Sequence, residues 1–200
     1  MSKHVSIVIL AAGAAKRFGT AKQLVQIDNT HLLQLMINKA TESDAPKIYV
    51  ILGANYQLII DQLQLNKKTV VVMNETWEEG IASSIRSAVL KEMEENISDA
   101  LLLTVCDQPV ITTGLLNDCI RAYINNSAGI VATKYTGTIG TPALFDKKYY
   151  NDLLQLSGDT GAKKIITNHL PDVYTISFEG GSFDIDTPND WQEFIKGQRS

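Results

Sequence analysis

The sequence predicts an α/β fold with a mainly parallel central sheet. Short apolar runs rich in β-branched residues alternate with longer segments whose apolar residues recur at helical spacing. The chain has 200 residues, a length that suits one domain. Glycine-rich or polar segments at 11–20, 53–55 and 106–109 directly follow predicted strands. Because ligands bind beyond the carboxyl ends of parallel strands, we expect these segments to meet at one edge of the sheet.

Five strands are predicted from apolar runs. The first, Val5–Leu10, lacks the polar alternation of a half-exposed strand and therefore suits a strand that is buried on both faces. The second predicted strand ends at Gly53. The predicted strands span residues 5–10, 47–52, 69–73, 100–105 and 129–133.

Four helices are predicted between and after these strands, from apolar residues at helical spacing. The last of the four begins near Thr112 or Thr113, either of which can serve as its N-cap. Further along the chain, Pro188 predicts another helix start, and Lys163 and Lys164 open a helical run. The four helices span residues 32–40, 55–64, 83–95 and 112–125.

Composition and charge disfavour several classes of protein. Hydrophobic residues make up 44% of the chain and charged residues 20%, close to the average for a globular protein. The net charge of −4 is unlike the basic footprint of a nucleic-acid-binding protein. The apolar run near the N-terminus is too short to cross a bilayer and shows no signal-peptide cleavage site. Cys106 and Cys119 match neither a disulfide framework nor a zinc motif, so we expect a cytoplasmic protein without membrane contact.

The segment after the first strand carries the clearest local signal. Residues 10–24 read Leu-Ala-Ala-Gly-Ala-Ala-Lys-Arg-Phe-Gly-Thr-Ala-Lys-Gln-Leu. Small residues let backbone N–H groups approach phosphate oxygens, and Arg17 and Lys22 add charged contacts. The spacing fits neither a Walker A motif nor the Gly-x-Gly turn of dinucleotide-binding folds. Taken alone, the segment is equally consistent with a tight turn whose basic side chains are solvated.

The pattern Leu-Ala-Ala-Gly-x3-Arg-Phe-Gly-x2-Lys-Gln-Leu resembles the signature of the Rossmann-like NTP-transferase superfamily. Further segments resemble the molybdenum cofactor cytidylyltransferases within it, in the expected order and from about residue 5 to about residue 195. These segments are 74–84 (Asn-Glu-Thr-Trp-Glu-Glu-Gly-Ile-Ala-Ser-Ser), 105–109 (Val-Cys-Asp-Gln-Pro), 140–145 (Gly-Thr-Pro-Ala-Leu-Phe), 157–162 (Ser-Gly-Asp-Thr-Gly-Ala) and 184–190 (Asp-Ile-Asp-Thr-Pro-x-Asp). The resemblance implies a single domain over residues 1–200, a three-layer sandwich of the nucleotide-diphospho-sugar transferase type.

The resemblance also implies a reaction. The family transfers CMP from CTP to the terminal phosphate of molybdopterin or molybdenum cofactor, releases pyrophosphate and uses Mg²⁺. CTP and a phosphorylated pterin are therefore the expected substrates, and a molybdenum enzyme or its maturation factor is the expected transient partner. A phosphate monoester has a second pKa of about 6, so the acceptor attacks without a general base.

Matched to the family motifs, Arg17, Lys22 and Asp107 are the expected catalytic residues. Asp107 and Asp186 are the expected Mg²⁺ ligands, and the resemblance leaves the part played by Asp184 open. From the residues alone, Asp107 and Asp186 also read as helix caps. The residues expected to contact the nucleotide are Leu10, Ala11, Ala12, Gly13, Arg17, Lys22, Gly80 and Ser84.

The expected choice of nucleotide depends mainly on position 12. Ala12 gives the Leu-Ala-Ala-Gly form found in cytidylyltransferases, whereas related guanylyltransferases usually carry Leu-Ala-Gly-Gly. A side chain here narrows the base pocket, which favours a pyrimidine. The Ser84 hydroxyl is able to bond a base edge, although Gly80 to Ser84 also reads as a serine-capped helix start.

The acceptor side departs from the family pattern. Thr141 stands where the family has a histidine, so the acceptor contact at this position differs. Lys163 and Lys164 are expected to be solvated, although they are also able to bind an acceptor's charge. Cys106 is expected to be a buried small apolar residue and not a nucleophile.

Three alternative functions remain. The first is a transferase of the same superfamily that acts on a sugar or polyol phosphate, or that uses GTP. The second is a non-catalytic chaperone or sensor that binds NTP or cofactor; the joint presence of Arg17, Lys22, Asp107 and Asp186 argues against it. The third, a generic dinucleotide-binding fold, is disfavoured because its glycine spacing is missing.

Overall fold

The computed structural model describes residues 3–15 and 17–198, in which strands and helices alternate along the chain. The strands are β1 (Val5–Leu10), β2 (Gln26–Ile27), β3 (Thr30–His31), β4 (Ile48–Leu52), β5 (Thr69–Met73), β6 (Ala100–Val105), β7 (Ile130–Tyr135), β8 (Thr138–Asp146) and β9 (Val173–Ser177). The α-helices are α1 (Leu32–Thr41), α2 (Tyr56–Ile60), α3 (Ile81–Glu95), α4 (Thr113–Asn125), α5 (Tyr150–Leu154), α6 (Lys163–Asn168) and α7 (Pro188–Gln198).

Seven of these strands form one sheet, in the order β5-β4-β1-β6-β8-β7-β9. β1 pairs in parallel with β4 and β6, and β4 pairs in parallel with β5. Within this sheet β8 runs against the other strands, because it pairs antiparallel with both β6 and β7, while β9 is parallel to β7. β2 and β3 form a separate antiparallel ribbon. The predicted mainly parallel sheet is confirmed.

Helices cover both faces of this sheet, which gives the predicted three layers. Along β1, Ile7 belongs to the core on one face and Val8 to the core on the other, as the two-residue period of a strand requires. Helices α1 and α4 contribute to the first core, and α3, α5 and α6 contribute to the second. Because both faces are covered, every residue of β1 is buried, which explains its continuous apolar sequence.

All five predicted strands are present, but the pattern analysis did not predict β8 or β9. β8 follows β7 through a two-residue turn, Thr136 and Gly137, whose φ values are 42° and 76°. Positive φ at both positions is the geometry that tight hairpins favour. Gly140 and Pro142 interrupt the apolar pattern of β8, and this weakened its strand signal. β9 lies at the sheet edge and mixes exposed with half-buried residues.

The four predicted helices are also present, with one error of length. The helix predicted over 55–64 is only Tyr56–Ile60, and its single fully buried residue is Ile59, so little packing stabilises a longer helix. Thr112 is the N-cap of α4, and its side chain accepts a hydrogen bond from the Leu115 N–H at 3.1 Å. None of the described helices is both long and apolar enough to cross a membrane.

Glu92 on α3 is a buried carboxylate with a structural role. Its Oε1 accepts hydrogen bonds from the N–H groups of Ile97 and Ser98 at 2.8 and 2.6 Å, and its Oε2 accepts one from the Tyr49 hydroxyl at 3.1 Å. Tyr49 lies on β4, so Glu92 joins the end of α3 both to the sheet and to the turn that leads into β6. These three bonds offset the cost of burying the carboxylate.

Replacing Glu92 with alanine is expected to lower the free energy of unfolding by about 2–4 kcal/mol, because two backbone N–H groups lose their acceptor and the Tyr49 hydroxyl keeps only Glu95. Urea denaturation followed by circular dichroism measures the change. Glu94→Ala is the matched control, because Glu94 lies on the same helix but is exposed and contacts Lys91. We expect the control to change stability by less than about 0.5 kcal/mol. Equal losses in the two variants would contradict the anchoring role of Glu92.

Candidate active site

Three segments converge at the carboxyl ends of β1, β5 and β6: the loop after Leu10, the segment after Met73 and the segment after Val105. Together they enclose a cleft of about 510 Å³, a size common among small-molecule sites. The predicted residues that line it are Leu10, Ala12, Gly13, Gly80, Ser84 and Asp107. A second cavity of about 280 Å³ is lined by Ala15, Arg17, Lys22 and Asp186, and Ala15 borders both spaces.

Gln23 holds the glycine-rich loop in shape. Its side chain is 2% exposed, and its Nε2 donates to the carbonyl oxygens of Ala11 and Gly13 at 2.7 and 2.9 Å. The Ala12 carbonyl accepts from the Ala54 N–H at 3.0 Å. These bonds fix the loop backbone before any ligand arrives. Gln23 was quoted in the sequence motif but was not assigned a role there.

One predicted nucleotide contact, Ala11, lines neither the cleft nor the second cavity. The N–H of Ala11 donates to the Ile51 carbonyl at 3.0 Å, and its own carbonyl accepts from Gln23. Its side chain is buried in the core on the α1 and α4 side of the sheet. Ala11 therefore extends the sheet and supports the loop, whereas Ala12 and Gly13 border the cleft.

Lys22 joins two carboxylates that are distant in sequence. Its Nζ lies 2.8 Å from Asp107 Oδ2 and 3.1 Å from Asp186 Oδ1. Arg17 approaches Asp186 from the other side, with 2.8 Å between its guanidinium and Oδ2. The side chain of Lys22 is only 13% exposed, whereas that of Arg17 is 74% exposed. The four residues predicted for catalysis and metal binding thus form one continuous cluster, with Lys22 at its centre.

The charge of Lys22 is stabilised by this arrangement. Burial on its own lowers the pKa of the ammonium, but the Asp107 carboxylate and the hydrogen bonds to Asp107 and Asp186 outweigh it, so the pKa of Lys22 is raised. Lys22 is therefore a cation at neutral pH. It is able to bind an anionic group but not to act as a base.

A capping box at the start of α7 positions Asp186. The Asp190 carboxylate accepts from the N–H groups of Asp186 and Thr187 at 3.0 and 2.7 Å, and Thr187 Oγ1 accepts from the Asp190 N–H at 3.3 Å. These hydrogen bonds lower the pKa of Asp190. The Ile185 N–H also donates to the Asp107 carbonyl at 2.8 Å, which ties the segment to the end of β6. Thr187 and Asp190 serve as the cap, so the Asp186 side chain is left to face Lys22 and Arg17.

Asp184 has a different environment from Asp186. Desolvation raises its pKa, as do the nearby charges of Asp107 and Asp186, while a hydrogen bond with Gln108 acts in the opposite direction. It lies close enough to the cluster to feel both carboxylates, but Lys22 bonds Asp107 and Asp186. This geometry favours Asp186 as the second ligand and gives Asp184 a place beside the cluster.

Asp107 and Asp186 fit a Mg²⁺ site of the kind used with nucleotides. Mg²⁺ commonly takes one or two carboxylates and completes its octahedral shell with water and phosphate oxygens. The two carboxylates already surround one cationic group, the Lys22 ammonium. Among residues 3–15 and 17–198 no group of three or more His, Cys, Asp or Glu side chains is arranged to hold a metal. An ion here therefore needs ligands from a bound substrate and from water.

Asn74 organises the Gly80–Ser84 wall of the cleft. Its Nδ2 donates to Ser83 Oγ at 2.8 Å and to Ser84 Oγ at 3.1 Å, and the Ser83 hydroxyl donates onward to the Gly80 carbonyl at 2.8 Å. Ser84 receives a hydrogen bond, and no acceptor for its own O–H is found among the described residues. The alternative interpretation of this segment as a serine-capped helix start is wrong, because the N-cap of α3 is Gly80 and no side chain caps the helix. Ser83 bonds the Gly80 carbonyl, and Ser84 faces the cleft.

Sequence reasoning assigned no role to several residues that line the cleft, among them Trp77 and Asp159. Trp77 lies directly against Gly53, where an added Cβ would come within 2.5 Å of the Trp77 Cβ, so position 53 has no room for a side chain. Asp159 comes from the Ser-Gly-Asp-Thr-Gly-Ala segment, which was assigned no role in the nucleotide pocket. The signal was present, since both residues lie in motifs quoted for the family.

The segments that we expected to meet the acceptor pack around Gln108, which is 3% exposed. Its Nε2 donates to the Gly181 carbonyl at 3.2 Å, and its Oε1 accepts from the Thr141 hydroxyl at 3.4 Å. Thr141 precedes a cis peptide bond to Pro142. The threonine that replaces the family histidine thus contacts the residue after Asp107 and remains next to the candidate site.

Lys163 and Lys164 make their contacts away from the cluster that Lys22 forms with Arg17, Asp107 and Asp186. The Lys163 Nζ donates to Thr138 Oγ1 at 2.5 Å, which connects α6 to β8, and Lys164 borders a surface cavity beside His169. Both lysines are exposed, as expected. Cys106 is buried, and burial raises the pKa of its thiol to about 12, which is consistent with an unreactive side chain.

Solved structures with the same fold include several nucleotide-related proteins. Rv0371c from Mycobacterium tuberculosis H37Rv is 24% identical, with a TM-score of 0.85 over 98% of this chain and 100% of that one. A structure of Rv0371c in complex with manganese is 22% identical, with a TM-score of 0.80 over 98% of this chain and 100% of that one. The 4-diphosphocytidyl-2C-methyl-D-erythritol synthase of Anaerococcus prevotii is 15% identical, with a TM-score of 0.80 over 100% of this chain and 97% of that one.

A further structure is that of molybdopterin-guanine dinucleotide biosynthesis protein A from Archaeoglobus fulgidus. It is 13% identical, with a TM-score of 0.70 over 97% of this chain and 98% of that one. These likenesses confirm the predicted nucleotide-diphospho-sugar transferase type of fold. The model of the MobA-like NTP transferase domain matches residues 7–173. The chain is therefore a nucleotidyltransferase-fold protein that belongs to the MobA-like NTP transferase family.

Proposed function

We propose that this protein transfers CMP from CTP to the terminal phosphate of molybdopterin or molybdenum cofactor and releases pyrophosphate. The observation that carries the proposal is the Lys22 ammonium held between Asp107 and Asp186, directly beside a cleft of about 510 Å³. Cationic and carboxylate groups side by side support the joint binding of a nucleotide triphosphate and a divalent cation. It supports transfer chemistry better than binding alone.

In the proposed reaction, an oxygen of the acceptor phosphate attacks the α-phosphorus of CTP. A new P–O bond forms, the bond to the oxygen that bridges the α- and β-phosphorus breaks, and the electron pair leaves with pyrophosphate. The acceptor phosphate is already largely ionised near neutral pH, because its second pKa is about 6. No proton has to be removed, which suits a site whose central amine is held as a cation.

Lys22 and Arg17 carry out the electrostatic part of this reaction. Lys22 is well ordered by two carboxylates and is positioned to contact the α-phosphate, where negative charge develops. Arg17 is much more exposed, and its planar guanidinium suits the β- and γ-phosphates. Because the glycine-rich loop is already fixed by Gln23, little reorganisation is needed when the triphosphate binds.

Asp107 and Asp186 would hold Mg²⁺, which supplies charge neutralisation of the phosphate oxygens when it is bound. The manganese complex of Rv0371c supports the use of a divalent cation in this fold. Both carboxylates are also bonded to Lys22, so the same two side chains orient the lysine and the ion. Because these carboxylates would contact both the ion and the lysine that binds phosphate, we expect the ion and the nucleotide to bind cooperatively.

The choice of CTP and of the acceptor rests on separate observations. Ala12 narrows the cleft and favours a pyrimidine, and the Ser84 hydroxyl is free to donate to a base. The acceptor is inferred from the family resemblance, and the name of the Archaeoglobus protein supports a molybdopterin substrate. A sugar or polyol phosphate is the main alternative acceptor, in line with the name of the Anaerococcus synthase. We also propose that the protein works in the cytoplasm and passes its product to a molybdenum enzyme or its maturation factor.

The first test is pyrophosphate release from CTP, GTP, ATP and UTP with Mg²⁺, each with and without molybdenum cofactor. Release that needs both CTP and the cofactor is the expected result. Pyrophosphate release only with a sugar or polyol phosphate would reject the proposed acceptor but support the proposed nucleotidyl transfer. Binding of NTP without release in the presence of every acceptor would favour the sensor or chaperone alternative.

Removing either partner of the central ion pair is expected to reduce turnover. Lys22→Met and Asp107→Asn should each lower the rate of pyrophosphate release roughly 10²–10³-fold, in line with single electrostatic groups in other active sites. Asp118→Asn is the control, because Asp118 is exposed on α4 and pairs with Arg121. Circular dichroism confirms that each variant is folded. Rates within about twofold of wild type for both site variants would refute the assigned roles.

Divalent cation is expected to be required, and Asp186 to contribute to its binding. Chelation with EDTA should abolish pyrophosphate release, and excess Mg²⁺ should restore it. Electron paramagnetic resonance of Mn²⁺ titrated in the presence of CTP measures affinity directly, and Asp186→Asn should weaken it by at least about tenfold. Asp184→Asn is the matched comparison, because Asp184 is bonded to Gln108 and not to Lys22. A larger effect at position 184 than at 186 would reverse the ligand assignment.

A further inference from the structure

The segment that carries Asp159 closes one side of the nucleotide cleft. The Gly158 carbonyl oxygen accepts a hydrogen bond from the Ala82 N–H, in the first turn of α3, at 3.1 Å. Gly80 has a φ of 99°, and a Cβ added there would lie 2.6 Å from the Gly158 oxygen and would overlap Asp159 Oδ1. Only glycine therefore fits at position 80. Its lack of a side chain lets the Asp159 carboxylate rest against the Gly80–Ser84 wall.

The cleft has charges of opposite sign in different places. Arg17 and Lys22 line the adjoining cavity, where the phosphates are proposed to bind. The main cleft is lined by Glu78, Asp107 and Asp159 and, among the described residues, by no Lys, Arg or His. Since Asp107 is already bonded to Lys22, Glu78 and Asp159 give the Gly80 wall an acidic character. Such a wall favours ligand groups that donate hydrogen bonds and repels groups that only accept them.

Asp159 and Ser84 both line the cleft, where the first offers an acceptor and the second a donor. The Asp159 carboxylate accepts no hydrogen bond from the residues the structure describes, and the Ser84 hydroxyl is held by Asn74 with its own proton free to donate. Cytosine presents an amino donor at C4 next to an acceptor, N3. Uracil presents the reverse, an acceptor oxygen at C4 next to an N–H donor. The protein pair is therefore complementary to cytosine and is opposed to uracil.

We propose that Asp159 accepts a hydrogen bond from the exocyclic amino group of the base, and that it makes the site prefer cytosine to uracil. The inference rests on the proposed nucleotide site and deepens it. In that proposal Ala12 excludes purines by size, which does not distinguish cytosine from uracil. Asp159 is thus a specificity-determining residue and takes no part in the chemical step. Ser84 supplies the matching donor to N3 or to the adjacent carbonyl of the base.

The test compares equilibrium binding of CTP and UTP, measured by isothermal titration calorimetry with Mg²⁺ and no acceptor. Wild type should bind CTP at least about tenfold more tightly than UTP, since the carboxylate bonds the amino group and repels the uracil oxygen. Asp159→Asn should reduce this ratio roughly tenfold, because the amide is able to donate to that oxygen. Asp159→Ala should reduce it by weakening CTP binding. Asp61→Asn, an exposed position on another surface, should leave the ratio unchanged.

Parallel titrations with 2′-deoxy-CTP and 3′-deoxy-CTP test whether Asp159 contacts the ribose instead. The base assignment is overturned if Asp159→Asn weakens the binding of CTP and of UTP equally and also removes the difference in affinity between CTP and its deoxy analogues. The base assignment is also overturned if Glu78→Gln lowers the ratio of CTP to UTP affinity while Asp159→Asn leaves that ratio unchanged. If wild type binds no NTP at all, the proposed function fails together with this inference. Tight NTP binding with an unaltered CTP-to-UTP ratio in Asp159→Asn rejects the inference alone.

Discussion

One ammonium group between two carboxylates is the constraint on which the site depends. Asp107 and Asp186 would repel each other at the distance that Lys22 spans, and partial burial makes that repulsion stronger than it would be in water. The ion pairs therefore hold together three parts of the chain that the fold brings to one edge of the sheet. Gln23 shapes the loop that leads to Lys22, and the capping box of α7 aims Asp186 at it. The hydrogen bonds of Gln23 and of the capping box thus both help to position the groups that meet at the Lys22 ammonium.

With a net charge of −4, the protein would attract the proposed anionic ligand by local and not by overall charge. Arg17 and Lys22 concentrate positive charge at one end of the site, while Glu78 and Asp159 border the other end of the space. A nucleotide has the matching asymmetry, with an anionic triphosphate and a neutral base. The charge distribution is therefore able to orient the nucleotide before the close contacts form.

Much of this arrangement was predictable because buried parallel strands and glycine-rich loops leave strong local patterns. The structure confirms the predicted strand Val5–Leu10, the predicted helix cap at Thr112 and the predicted helix start at Pro188. β8 was missed because Gly140 and Pro142 break its alternation, although pairing with β6 and β7 makes it a central strand. Ala11 was expected at the nucleotide, but its N–H continues the sheet pairing to Ile51. Contacts such as Gly80 with Asp159 depend on tertiary structure, and local periodicity does not reveal them.

The separation of the site residues along the chain affects how the enzyme is made. Asp186 lies 164 residues after Lys22, and the helix that orients it is the last described element. Because a chain emerges from the ribosome from its N-terminus, the glycine-rich loop and Asp107 are synthesised before the second carboxylate exists. A chain that stops before Asp186 has only one of the two carboxylates that bond Lys22. The bridge between the loop, β6 and the segment before α7 therefore forms only after all three parts of the chain have been made.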